Sequence, residues 1–136
     1  MNKVAVLSIK VTTGDTRPIF KQIVDGIRMQ IACGDLPVGA KLPSVRGLAM
    51  QLMVNANTVA KAYNELSHQG LVESRKGLGL FVSPLRQLHS DEEQAKILEQ
   101  ATAEFVNQVA YLDFTSEEIL AAVDEGLTQL STKQSA

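Results

Sequence analysis

The chain has 136 residues, enough for one compact domain with a short appendage but too few for a large multidomain enzyme. Apolar residues make up 45% and charged residues 21% of the sequence, which is typical of a folded globular protein rather than a disordered one. The single cysteine, Cys33, excludes an intramolecular disulfide and a cysteine-based metal cluster. The two histidines, His68 and His89, are expected on the surface, so we expect neither metal nor cofactor.

Charge is distributed unevenly along the chain. Residues 1–89 carry eleven Lys and Arg against five Asp and Glu, a net charge of +6, whereas residues 90–136 carry two against ten, a net charge of −8. This asymmetry favours a first part that faces a polyanion and a second part that keeps the molecule soluble or pairs with another chain. Solvated surface charge without a partner is the alternative interpretation.

The amino-terminal segment predicts neither a signal peptide nor a membrane anchor. Its short apolar run is interrupted by Lys10, and no stretch approaches the roughly 18 apolar residues that a membrane span requires. We therefore expect a cytoplasmic protein without a membrane partner.

The first elements in chain order are an arm and a helix. Residues 4–11 predict a short strand or an extended arm, and a turn follows at residues 12–16. Pro18 can occupy the first turn of an amphipathic helix over about residues 18–33, which Gly34 ends. The next segment, residues 35–43, contains three Pro or Gly residues and predicts an irregular loop.

Two shorter helices follow around a tight turn. Ser44 can cap the second helix, a turn at residues 53–56 follows it, and Gly70 ends the third helix. This spacing indicates a helix-turn-helix. Residues 71–75 and 80–83 then predict a hairpin with a glycine-rich, basic tip, in the position of a wing. The expected inner face of the third helix consists of Val59, Ala62, Tyr63 and Leu66.

The remaining sequence predicts two further helices. Capping boxes at residues 90–93 and 115–118 mark their starts, the first helix is expected over residues 90–112, and Phe114 with Ile119 can form a hydrophobic staple. Each helix carries an apolar stripe that a two-helix hairpin cannot bury within its own chain, so pairing with a second copy is expected. The expected dimerisation residues are Leu98, Ala101, Phe105, Val109, Leu112, Leu120, Val123 and Leu127.

Side chains suited to DNA lie on the basic part of the chain. Asn can pair with adenine edges, Arg with guanine or phosphate, and Lys with phosphate, while a glycine lets the backbone approach a groove. Each residue alone is equally compatible with a solvated surface, a cap, a salt bridge or a tight turn. Their order along a helix-turn-helix and wing indicates nucleic-acid binding. The candidates from this reasoning are Arg46, Asn55, Asn57, Thr58, Lys61, Arg75, Lys76 and Gly77.

A family resemblance rests on four segments of this basic part. They are GDLPVGAKLPSVRGLA at residues 34–49, VNANTVAKAYNEL at 54–66, GLV at 70–72 and GLGLFV at 77–82. Together they resemble the signature of the GntR family of bacterial winged-helix transcription regulators, over about residues 8–83. The short two-helix tail resembles that of the YtrA-type subfamily, which implies dimerisation through the tail.

The resemblance implies DNA contacts from Ser44 and Arg46, from residues 55–58 and from Gly77. Many family members have Pro or a basic residue at the position of Ala56 and Thr at the positions of Leu78 and Leu80, so weaker contacts or a different operator are expected there. Ala56 can still contact a thymine methyl group. The complete set of expected DNA-contacting residues is Ser44, Arg46, Asn55, Ala56, Asn57, Thr58, Lys61, Arg75, Lys76 and Gly77.

We predict a mainly α-helical protein with a small β wing. A winged helix-turn-helix domain at residues 1–83 precedes an α-helical hairpin tail for dimerisation at residues 84–136. The expected function is sequence-specific regulation of transcription by a homodimer on an inverted-repeat operator in double-stranded DNA, and the resemblance implies a repressor. Alternatives are a regulator that responds to a small-molecule effector at the dimer interface and a protein-protein adaptor. An enzyme is disfavoured, because GxSxG, P-loop and HExxH motifs are absent.

Overall fold

A computed structural model describes residues 4–84 and 90–135 of the chain, with side chains described as far as residue 130. His89, expected on the surface, lies outside the described residues. The chain separates into two compact units, Met1–Pro84 and Leu85–Ala136. They are called the first unit and the second unit below.

The described part of the first unit contains three helices and a two-stranded antiparallel sheet. Helix α1 spans Ile19–Ala32, α2 spans Val45–Leu52, α3 spans Ala56–His68, and strands β1 and β2 span Val72–Arg75 and Gly79–Val82. In the second unit, α4 spans Asp91–Val109 and α5 spans Ser116–Ser135. The predicted fold class, a winged helix followed by carboxy-terminal helices, is confirmed.

Local capping determines where α2 and α3 begin. The Ser44 Oγ accepts a hydrogen bond from the Gly47 N–H at 2.9 Å, as predicted for an N-cap. Asn55 caps α3, since its Oδ1 accepts from the Asn57 N–H at 2.8 Å. Ala56 is therefore the first residue of α3, whereas the sequence placed it in the preceding turn. At the other end of α2, Met53 adopts φ 58° and ψ 46° and closes the helix.

The core of the first unit lies where α1 and α2 pack on α3 and α3 packs on β1. The predicted inner face of α3 is buried, and burying each aliphatic side chain contributes about 1.5–3 kcal/mol. This core therefore stabilises the first unit from within its own chain. The side chains with no exposed surface include Ile23, Ile27, Leu48, Val59, Ala62, Leu66 and Val82.

The amino-terminal residues form an extended arm that is attached to the sheet. The Ala5 N–H donates to the Lys41 carbonyl at 2.8 Å, and the Leu42 N–H donates to the Leu80 carbonyl of β2 at 2.9 Å. The loop before α2 thus lies between the arm and the wing. Leu7 of the arm is almost completely buried, which fixes the arm on the first unit.

The second unit begins both of its helices with the predicted capping boxes. The Ser90 Oγ accepts from the Glu93 N–H at 3.1 Å, and the Thr115 Oγ1 accepts from the Glu118 N–H, also at 3.1 Å. Helix α4 ends at Val109, three residues before the predicted end. The apolar pattern continues to residue 112, beyond the last helical residue.

Within residues 4–84 and 90–135, every helix is too short or too polar to cross a membrane.

Candidate nucleic-acid interface

The start of α2 presents two of the expected contact residues. Ser44 and Arg46 are both exposed, and the Ser44 oxygen already accepts the Gly47 N–H, so its hydroxyl hydrogen remains available to donate. Among the described residues, Arg46 has no carboxylate within ion-pair distance, so no internal ion pair competes with DNA for its guanidinium.

The leading end of α3 carries the next group. Asn55, Ala56 and Asn57 are exposed and Thr58 is half-buried. Because the side-chain Oδ1 of Asn55 accepts the Asn57 N–H, the amide N–H groups of Asn55 are the donors left free to bind a partner. Asn57 and Lys61 lie one helical turn apart on the outward side, opposite the buried inner face.

The wing brings Arg75, Lys76 and Gly77 to an exposed tip. The Leu78 N–H donates to the Arg75 carbonyl at 2.8 Å and closes a four-residue β-turn over residues 75–78, in which Gly77 has φ +76°. Gly79, which follows the turn, has φ +117°, a conformation reserved for glycine. A glycine backbone at the tip can approach a DNA groove closely.

Arg75 differs from the other cations of this surface. It donates to the Glu73 carboxylate at 3.2 Å, and its Cζ lies 4.3 Å from the centre of the Phe81 ring. Its charge is therefore partly neutralised within the wing, whereas Lys76 has no carboxylate partner among the described residues. The arginine at this position stabilises the hairpin as well as adding positive charge to it.

Lys41 is a candidate that the sequence reasoning missed. A Cβ built on Gly79 would lie 3.2 Å from the Lys41 Cε, so the lysine side chain crosses the base of the wing. It helps to line an open cleft of about 640 Å³ between the start of α2 and the wing, together with Ser44 and Leu78. Its place in an irregular Pro and Gly loop gave no periodic signal, and only the pairing of that loop with β2 brings it here.

Tyr63 fixes the start of α2 against α3. Its hydroxyl donates to the Pro43 carbonyl at 2.8 Å, and burial raises the pKa of the phenol above its ordinary value. The phenol therefore stays protonated at neutral pH and keeps donating. This bond sets the position of Ser44, the next residue, relative to α3.

Arg17, just before α1, and Arg28 of α1 are paired with acids and contrast with the cations of the interface, whereas Lys21 of α1 is exposed and has no ion pair among the described residues. Arg17 donates to Asp15 at 2.9 Å and to Asp25 at 2.6 Å, and Arg28 donates to Asp25 at 2.8 Å. The hydrogen bonds from Arg17 lower the pKa of the Asp15 carboxyl. In turn, the hydrogen bonds to Asp15 and Asp25 raise the pKa of Arg17. The charges of Arg17 and Arg28 are therefore compensated, whereas Arg46, Lys61 and Lys76 of the interface have no carboxylate within ion-pair distance among the described residues.

The candidate metal ligands and the cysteine of the described residues are expected to have structural roles. No group of three His, Cys, Asp or Glu residues among them could hold a metal ion. Cys33 is buried, and its thiol donates to the Gln30 carbonyl at 3.6 Å, as expected for a small core residue.

The predicted dimerisation residues lie on an open surface of the second unit. No residue of α4 is buried, and Leu98 is 69% and Leu120 67% exposed. An open apolar groove of about 720 Å³ runs between the two helices. Its lining includes Ala101, Phe105, Val109, Phe114, Ile119 and Val123.

The sequence matches a family model and several relatives. Residues 19–82 match the model described as bacterial regulatory proteins, gntR family. The chain is 37% identical over 108 residues to the uncharacterised HTH-type transcriptional regulator YhcF of Bacillus subtilis, covering 79% of this chain and 88% of YhcF. It is 39% identical over 75 residues to the HTH-type transcriptional repressor YtrA of the same organism, covering 55% of this chain and 58% of YtrA.

Solved structures agree with these matches. A transcriptional antiterminator from Listeria monocytogenes EGD-e has a TM-score of 0.79 at 32% identity over 89% of this chain and 90% of that one. YtrA from Sulfolobus acidocaldarius, a GntR-family transcription factor, has a TM-score of 0.56 at 38% identity over 70% and 97% of the two chains. The DNA-binding domain of AraR in complex with operator ORX1 has a TM-score of 0.50 at 29% identity over 55% and 96%.

The structure contains a helix-turn-helix, formed by α2 and α3, and a basic wing. Both agree with the family match over residues 19–82, which confirms the family resemblance found in the sequence. The chain belongs to the gntR family of bacterial regulatory proteins, and it is a DNA-binding helix-turn-helix regulator of transcription rather than an enzyme.

Proposed function

We propose that the chain is a repressor that binds an inverted-repeat operator as a homodimer in the cytoplasm. In this proposal α3 enters the major groove, and the wing reaches the neighbouring backbone or minor groove. The observation that carries it is the unpaired positive charge of Arg46, Lys61 and Lys76 on one exposed helix-turn-helix and wing, whereas Arg17 and Arg28 are paired with acids. The name of YtrA as a repressor supports the direction of control.

The proposed division of labour assigns base reading to α2 and α3 and backbone contacts to the wing. Arg46 would read a guanine, Asn57 an adenine, and Ala56 a thymine methyl group, while Ser44 and Thr58 would position the protein on phosphates. Asn55 would contribute through its amide N–H groups, since its oxygen caps α3.

The wing and its base would complete the contact with the DNA backbone. Lys76 and the backbone at Gly77 would approach the duplex, and Arg75 would add charge while it supports the hairpin. Lys41 joins this set because its side chain crosses the wing base. In this proposal Lys41 and Lys76 bind phosphates, so they would add affinity more than specificity.

Homodimerisation is proposed for the second unit. Exposed apolar side chains on both helices and the groove between them can be covered by the same surface of a second copy, which satisfies twofold symmetry. The net charge of −8 on residues 90–136 keeps this region away from DNA. A twofold dimer presents two reading helices to half-sites about one helical turn apart, roughly 34 Å.

The test is fluorescence anisotropy with the DNA upstream of the chain's own gene and with a scrambled duplex, each titrated across salt. Specific sites usually exceed non-specific DNA in affinity by about 10³ or more, and both lose affinity steeply as counterions are released. A preference of that size supports the proposal. Binding without salt dependence would contradict it and favour the protein-protein adaptor.

An effector-responsive regulator remains the second candidate, and the groove of the second unit favours it. Its volume of about 720 Å³ is within the usual range of small-molecule sites, about 300–1,000 Å³. A thermal-shift screen of candidate metabolites distinguishes the two. A ligand that raises the melting temperature and weakens operator binding would show that the groove holds an effector.

A further inference from the structure

Two cations of the proposed interface lie on aromatic rings, but only one of them is also paired with an acid. The Lys61 Nζ lies 4.1 Å from the centre of the Phe20 ring, and the Arg75 Cζ lies 4.3 Å from that of Phe81. Arg75 also binds the Glu73 carboxylate. Lys61 has no carboxylate within ion-pair distance in the part of the chain that the structure describes, so its charge remains available.

The acid best placed to neutralise Lys61 is engaged elsewhere. Glu65 lies one helical turn further along α3, where an ion pair with Lys61 would be ordinary. Its Oε1 instead accepts a hydrogen bond from the Gln69 side chain at 3.0 Å. The contact with Phe20 is therefore the interaction that orders the Lys61 ammonium.

A cation held on a ring is prepared for an anion in a way that a free lysine is not. An exposed lysine samples many rotamers and loses that freedom when it binds a phosphate. The ring attracts the ammonium without neutralising it, and of its three N–H groups those turned away from the ring remain free to donate. The contact with Phe20 thus restricts the Lys61 side chain before DNA binds, so Lys61 loses less conformational entropy when it binds a phosphate.

We propose that Phe20, a half-buried residue of α1, is a positioning residue for DNA binding that holds Lys61 ready for a phosphate. This rests on the proposed role of α3 as the reading helix. Phe20 itself touches no DNA in this account, and its effect passes entirely through Lys61. It gives α1, otherwise a scaffold helix, an indirect part in operator affinity.

A double-mutant cycle tests the proposal in the full-length chain. Phe20→Leu, Lys61→Gln and the double variant are titrated with operator DNA by fluorescence anisotropy at several salt concentrations. Lys61→Gln is expected to reduce the slope of log affinity against log salt by about 0.9, the loss of one phosphate contact. Phe20→Leu is expected to weaken binding about two- to fivefold at fixed salt with the slope unchanged. Added to Lys61→Gln, it is expected to cost nothing more.

Matched variants separate positioning from packing. Phe20→Tyr keeps a ring and is expected to bind like the wild type, while Phe20→Met is a second ringless variant should Phe20→Leu fail to fold, as its melting curve would show. The inference is overturned if Phe20→Leu weakens binding as much in the Lys61→Gln background, or if Lys61→Gln leaves the salt slope unchanged. A wild-type chain without operator preference would instead overturn the proposed function.

Discussion

The two units of the chain differ in where their apolar side chains lie. The first unit buries its aliphatic residues between three helices and a sheet, and Ile27, Leu48 and Leu66 have no exposed surface. The second unit has capped helices of similar or greater length, yet α4 buries none of its residues. In this sequence, helix-capping signals therefore do not indicate whether the apolar side chains of the helix are buried.

The difference separates what stabilises a helix from what stabilises a domain. Capping boxes at Ser90 and Thr115 start α4 and α5 without tertiary packing, because they satisfy free N–H groups locally. Most helix stability in proteins nevertheless comes from packing an apolar face. The first unit finds that packing in its own chain, whereas the apolar side chains of the second unit stay exposed, and we propose that a second copy covers them.

The largest expected effect lies in the core of the first unit. Leu48→Ala is expected to lower the free energy of unfolding by about 2–5 kcal/mol, since it removes a fully buried side chain and leaves a cavity. Chemical denaturation measures it. Met50→Ala, on the same helix but 80% exposed, serves as the control and is expected to change stability by less than about 0.5 kcal/mol. Equal losses of stability in Leu48→Ala and Met50→Ala would show that Leu48 does not lie in the core.

The next effect concerns the surface of the second unit. Phe105→Asp is expected to weaken the dimer by about 2 kcal/mol or more, about thirtyfold in dissociation constant, because it places a carboxylate in the apolar groove. Analytical ultracentrifugation measures it. Asn107→Asp adds the same charge about 200° around α4 and is expected to leave the dimer intact. An unchanged dimer in Phe105→Asp would place the interface elsewhere.

Arg46→Ala tests the reading surface of the first unit. It is expected to cost about 1–3 kcal/mol of operator affinity and to relax the preference at one base pair, if the guanidinium pairs with a guanine. Anisotropy with single-base operator variants measures both. Arg28→Ala, which removes a cation already paired with Asp25, is the control and is expected to leave affinity nearly unchanged. Weaker binding with an unaltered base preference would assign Arg46 to phosphate.

Tyr63→Phe tests the link between α2 and α3. Losing the hydrogen bond to Pro43 is expected to destabilise the first unit by about 0.5–1.5 kcal/mol. Burial raises the pKa of Tyr63, whereas an unfolded tyrosine ionises near pH 10. The wild type should therefore lose stability relative to Tyr63→Phe as the pH rises above about 10. Denaturation at pH 9 and pH 11 measures the difference, and a constant difference would show that Tyr63 is accessible.

The smallest expected effect is at the turn between α2 and α3. Met53 holds φ 58° without being glycine, so Met53→Gly is expected to stabilise the first unit by up to about 1 kcal/mol. The same change at Met50, inside α2, is expected to destabilise by about 1 kcal/mol. Thermal unfolding compares the two variants. If both substitutions change stability in the same direction, the backbone at Met53 is not left-handed.

Local signals in the sequence predicted much of the fold. The caps at Ser44, Ser90 and Thr115 and the buried face of α3 depend on residues within one or two turns of each other, so composition and spacing were sufficient. The end of α4 was predicted three residues late, because an apolar pattern continues through Leu112 while the helix does not.

Contacts between distant segments could not be predicted. Lys61 meets Phe20 across 41 positions, and Lys41 reaches Gly79 only because the loop before α2 pairs with β2. The residue types suited to DNA could be recognised from their ability to hydrogen-bond to bases and phosphates. Which of them are paired, as Arg75 is, depends on packing that periodicity does not encode.

The most direct test of the division between a DNA-binding unit and a pairing unit is the stoichiometry of the operator complex. Sedimentation of the wild type and of Phe105→Asp, alone and with a duplex carrying both half-sites, measures it. We predict a wild-type mass twice that of the chain and two wild-type chains bound per duplex, whereas Phe105→Asp sediments as a monomer when alone. A monomeric wild type at micromolar concentration that binds one chain per duplex would contradict the account.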